Sequence, residues 1–157
     1  MRVRWLLPLC LWLYAGIAGA AGVTPPVDLS RLDGRHDLAG AVSLLVDPTG
    51  ARGWQDVVAA DAAGDFRPVD ADFARGYTTD ALWLRIGVLA APGNTRSHWL
   101  QVLPPFLDDL QLYVVADGVL LHHQQRGDRH PVAAIELPSG ATLLQLPKLQ
   151  QPAVLYL

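Results

Sequence analysis

From Gly40 onward the apolar residues of this chain come in short runs, each closed by Gly, Pro, Asn or Asp. That punctuation belongs to many short strands and not to long helices. The runs predict strands over residues 41–46, 81–90, 98–103, 110–115, 119–124, 141–146 and 153–157. The clearest alternation is Leu82-Trp83-Leu84-Arg85-Ile86-Gly87-Val88. There Leu82, Leu84, Ile86 and Val88 share one face, while Trp83 and Arg85 share the other, as expected of a strand with one buried side. Helical spacing occurs at residues 53–60, where Trp54, Val57 and Val58 fall on one face; it predicts one or two turns near Trp54 to Ala60.

Asp117-Gly118 lies between two apolar runs and supplies the two positive-φ positions of a tight hairpin turn. Pairing Ala116 with Val119 then fixes the register for both faces. Leu112 and Val114 are expected beside Leu121 and His123 on a core face. Gln111, Tyr113 and Val115 are expected beside Leu120, His122 and Gln124 on a partly wet one. About seven short strands and one small helix predict an all-β fold, an antiparallel two-sheet sandwich of jelly-roll type. A closed barrel is the competing architecture.

The start of the chain has a different character. Met1-Arg2-Val3-Arg4 is followed by apolar residues from Trp5 to Ile17 and then Ala18-Gly19-Ala20, the charged, apolar and small-residue order of a secretory signal peptide. The apolar part is shorter than the roughly 20 residues a membrane span needs. Residues 1–20 are therefore expected to be removed on export, 21–39, with Pro25-Pro26, to form a flexible or loosely draped leader, and 40–157 to form the domain. Without residues 1–20 the chain lacks Cys10, which leaves no disulfide, cysteine nucleophile or cysteine zinc site to expect. It also carries ten basic against fifteen acidic side chains, Lys148 being the lone lysine. No basic run provides an electrostatic footprint for nucleic acid. About 137 residues suit one domain with a self-sufficient core.

Candidate chemistry is sparse. None of Ser30, Ser43, Ser97 and Ser139 sits in a Gly-x-Ser-x-Gly elbow. His122, His123, Asp128 and His130 are the densest set of possible metal ligands, but adjacent histidines on a strand face opposite sides, so no metal and no cofactor is expected. Asp108-Asp109 follows Pro104-Pro105 and fits a loop that starts a strand, better than a glycosidase pair. Trp54, Trp83 and Trp99, with Tyr77, Tyr113 and Tyr156, fit either a sandwich core or a platform for a sugar ring. Trp83 with Arg85 is the best platform pair.

The order of motifs resembles the type 2 extracellular sensor domain of bacterial seven-transmembrane receptors with diverse intracellular signalling modules. The motifs are Val46-Asp47-Pro48-Thr49-Gly50, Trp54-Gln55-Asp56-Val57, Phe66-Arg67-Pro68-Val69, Gly76-Tyr77-Thr78-Thr79-Asp80-Ala81-Leu82-Trp83-Leu84-Arg85, His98-Trp99-Leu100-Gln101-Val102, Leu107-Asp108 to Leu112-Tyr113, and Gly127-Asp128-Arg129-His130-Pro131. The family implies a jelly roll similar to carbohydrate-binding modules, held outside the inner membrane. Its ligand state passes through a seven-helix bundle to an output module such as a diguanylate cyclase or histidine kinase.

By resemblance, Trp83, Arg85, Asp108, Tyr113 and Asp128 fall on the family's motif positions and are the ligand-binding candidates. The expected function is a non-catalytic periplasmic sensor for a carbohydrate or similar small molecule, joined to the membrane through a C-terminal seven-helix region absent from this sequence. Family members continue into the membrane where this sequence stops at Val154-Leu155-Tyr156-Leu157, so the domain is expected to be truncated there. Where the family has an arginine-containing stretch after the Gly-Asp motif, this chain has Pro138-Ser139-Gly140 and Pro147-Lys148. The alternative is a stand-alone secreted interaction or glycan-binding module.

Overall fold

The computed structural model describes residues 24–69, 76, 78–103, 107–127 and 141–157. The expected signal peptide lies outside them. Among the described residues the chain forms nine strands, one α-helix and a short 3-10 turn, in two sheets that make an all-β sandwich. All seven strands legible in the sequence are present: β2 (Val42–Asp47), β4 (Ala81–Leu89), β5 (Trp99–Val102), β6 (Leu110–Ala116), β7 (Val119–Arg126), β8 (Thr142–Gln145) and β9 (Ala153–Tyr156). Two strands of two residues each, β1 (Val27–Asp28) and β3 (Arg67–Pro68), add to the large sheet. They are too short to show a period.

The large sheet runs β3-β2-β4-β9-β6-β7, with β1 paired in parallel to β4; β5 and β8 form the small sheet. The other ladders are antiparallel, and the described residues form no closed barrel. Residues 24–39 lie against this frame. Leu29 is buried in the core, Thr24 Oγ1 donates to Ala41 O at 3.1 Å, and Leu29 O accepts from His98 Nε2 at 3.1 Å.

The two faces of the large sheet are covered by different things. Leu84, Ile86, Val88, Leu112, Val114 and Leu155 point toward the small sheet and pack with Leu100, Leu144 and Leu146. Leu112, Val114, Leu144 and Leu155 are essentially removed from water, each contributing roughly 1.5–3 kcal/mol of transfer free energy. On the opposite face α1 (Trp54–Ala62) lays Val57 and Ala60 over Leu45, Phe66, Val115 and Tyr156. Asp56 Oδ2 accepts from Gly53 N at 2.9 Å to start this helix. It closes with Gly64 N donating to Asp61 O and Asp65 N to Ala60 O, the paired bonds that satisfy terminal carbonyls.

The hairpin turns where expected: Asp117 and Gly118 have φ of 49° and 75°, and Ala116 pairs with Val119. Its register does not continue as expected. Val115 pairs with Leu120 but Val114 pairs with His122, so Leu121 is an extra residue on β7. A bulge of this kind reverses the faces beyond it. His123 consequently joins Tyr113 and Gln111 on the helix side, and His122 and Gln124 join Val114 and Leu112 on the sandwich side, the reverse of the unbulged expectation.

Candidate functional site

On the helix side of the large sheet, packed against the cluster that α1 covers, three rings line up across β4, β6 and β7. Trp83 and Tyr113 lie with centroids 5.8 Å apart and planes tilted by 35°; Tyr113 and His123 stack at 4.4 Å and 12°. Period-2 alternation puts Trp83 and Tyr113 on this face, and the bulge at Leu121 brings His123 to them. Trp83 and Tyr113 are half-buried and His123 is exposed. The buried Trp83 Nε1–H has no acceptor among the described residues.

A polar network rims the rings. Asp109 accepts from Gln111 Nε2 through Oδ2 and from Gln125 Nε2 through Oδ1, each at 3.0 Å. Gln111 Oε1 in turn accepts from the Tyr113 hydroxyl and sits 3.2 Å from His123 Nε2, a contact that calls for the proton on that nitrogen. Burial, and after it the charge of Asp109, raises the Tyr113 hydroxyl above the usual phenol range, so it remains a donor. Every side chain in the rim is thus held in one orientation, with hydrogen-bonding groups beside flat apolar ring surface.

Of the residues singled out from sequence, Trp83 and Tyr113 come together here. Arg85 lies on the same face of β4 but is committed elsewhere. Its Nε is 2.7 Å from both Asp61 oxygens, and the Tyr156 hydroxyl donates to Asp61 Oδ2 at 2.7 Å. This cluster ties the end of α1 to β4 and β9. Burial, then the bond to Asp61, raises the Tyr156 hydroxyl well above its ordinary value.

Asp108 is exposed in the loop that enters β6. Its carbonyl faces Gly127, where an added Cβ would stand 2.5 Å from Asp108 O and 2.8 Å from Leu107 O, at φ +127°. No side chain fits such an approach, so this glycine locks the two ends of the hairpin together. Asp128 lies outside the described residues, as does His130. His122 and His123 do point to opposite faces of β7, and no group of three or more metal-ligating side chains occurs among the described residues. Sequence reasoning named Asp109, Gln111 and His123 in other settings and did not bring them, or Gln125, together around the rings. The run His122-His123-Gln124-Gln125 is polar throughout, so its alternation is silent about which members face the rings.

The domain is a two-sheet all-β sandwich with an aromatic row and a polar rim on one face. Residues 39–157 match the family model 7TMR-DISM extracellular 2, and the chain belongs to that family, the extracellular sensor domains of seven-transmembrane receptors. No curated protein matches this chain. No helix among the described residues is long and apolar enough to cross a membrane.

Proposed function

We propose that this chain is the non-catalytic periplasmic sensing domain of a transmembrane signalling receptor, that its sandwich is a jelly roll, and that it reads a carbohydrate or similar small polar molecule. In this reading the ligand lies on the Trp83–Tyr113–His123 row. The observation that carries it is the pairing of that row with a rim whose donors and acceptors are already oriented by Asp109 and Gln111. Flat ring surface suits the C–H face of a pyranose, and amide and carboxylate groups suit its hydroxyls. Arg85, Asp108 and Asp128 complete the candidate set from the family motif: Arg85 holds the helix beside the row, and Asp108 belongs to the loop at its end. Attachment to the membrane runs through a seven-helix region of the receptor.

The test is titration of the purified chain with neutral mono- and oligosaccharides, followed by calorimetry and tryptophan fluorescence. Binding that weakens about tenfold, or about 1.4 kcal/mol, in both His123→Ala and Gln111→Ala is the expected result. A folded chain that binds none of the panel, or binds equally well in both variants, would rule the row out as a carbohydrate site.

A further inference from the structure

A second polar feature lies on the other side of β7 from the aromatic row. Here β7 and the end of β8 part to leave a cavity of about 320 Å³, within the usual range of small-molecule pockets. His122 and Gln124 line it from β7, where the bulge turns them to the sandwich side. His122 Nε2 and Gln124 Oε1 are both buried and have no hydrogen-bond partner among the described residues. A buried polar atom without a partner is a rare and costly state, and two of them stand beside this one cavity.

The remaining lining sets the chemistry of that occupant. Leu146 and Pro147 give apolar surface, and Ser97, Gln145 and Lys148, all exposed, stand at the mouth. Among the described residues the lining holds one lysine and no carboxylate. Gln124 Oε1 asks for a hydroxyl or N–H donor, whereas Lys148 asks for an anion.

We infer that this cavity is a second ligand site, taking a monosaccharide-sized carboxylate of the sugar-acid class. The carboxylate faces Lys148 at the mouth, and ring hydroxyls pair with Gln124 Oε1 and His122 Nε2. The site stands apart from the aromatic row, with which it shares no residue, so either can fail without the other.

Calorimetry on the purified chain with glucuronate, with glucose as the neutral match in size, and with acetate as a carboxylate lacking hydroxyls tests this assignment. Measured in the His123→Ala background, so that glucose held on the aromatic row does not enter the comparison, glucuronate is expected to bind at least about tenfold more tightly than glucose or acetate, and to lose about tenfold when Lys148→Met or Gln124→Leu is added. Gln124→Leu is expected to keep or raise the melting temperature, since it removes an unpartnered buried oxygen. His123→Ala is expected to leave glucuronate binding unchanged. Equal affinity for glucose and glucuronate in that background, full affinity in Lys148→Met, loss of affinity in His123→Ala, or no heat with any probe would each overturn the assignment.

Discussion

Asp47 illustrates how a motif residue can matter through architecture. It is 2% exposed yet ionised, because Thr49 Oγ1 donates to Oδ1 at 2.7 Å, Thr49 N donates to the same oxygen at 3.1 Å, and Arg52 N donates to Oδ2 at 3.0 Å. The Asp-Pro-Thr-Gly sequence thus folds onto its own first side chain and delivers the chain to α1. These bonds, the Thr49 hydroxyl first, hold the Asp47 carboxyl below its ordinary value of 3.8. A carboxyl depressed in the folded state stabilises it above the unfolded pKa, and that contribution is lost as pH falls through the folded value. Asp47→Asn is therefore expected to lower the thermal midpoint at pH 7, and the gap between variant and parent to narrow below about pH 4. Melting curves from pH 2 to pH 7 read this directly; a gap that does not change with pH would mean that Asp47 acts by shape and not by charge.

At the scale of elements, the helix is fixed by a polar contact as well as an apolar one. Val57 and Ala60 supply the packing, but Asp61 reaches both Arg85 on β4 and Tyr156 on β9. The Arg85 and Asp61 side chains are 15% and 21% exposed, so removing one partner strands another in a poorly solvated place. Asp61→Ala is expected to cost about 2–3 kcal/mol because Arg85 and Tyr156 both lose their acceptor. Arg85→Met is expected to cost less, since Asp61 keeps the Tyr156 hydroxyl. The double variant is expected to cost less than the sum of the two. Urea denaturation of the four proteins measures the coupling, and strict additivity would show that the ion pair contributes nothing beyond its parts.

At the scale of the whole molecule, what was legible in the sequence is what depends on local period and turn chemistry. The Leu82-to-Val88 alternation placed β4 and its faces, and Asp117-Gly118 placed the β6–β7 turn. What stayed hidden depends on partners distant along the chain: the Leu121 bulge that turns His123 toward Tyr113, and the Asp61 carboxylate that engages Arg85 across 24 positions. Trp83 and Tyr113 were found because alternation alone fixes their face, whereas the rim around them required the register. The same long-range logic governs β9. Its four residues come last in this sequence yet lie between β4 and β6, and they join the halves of the large sheet through both ladders. Leu155 enters one core and Tyr156 the other. A chain ending before Ala153 would leave two long inner edges unpaired and open the core between them, since paired strands are what satisfy backbone groups there. Loss of the cooperative thermal transition and of dispersed amide resonances is the expected outcome for that truncation. A truncated chain that still melted cooperatively would instead mean that β4 and β6 can close on each other without β9, and that the Trp83–Tyr113 spacing is not set by the strand between them.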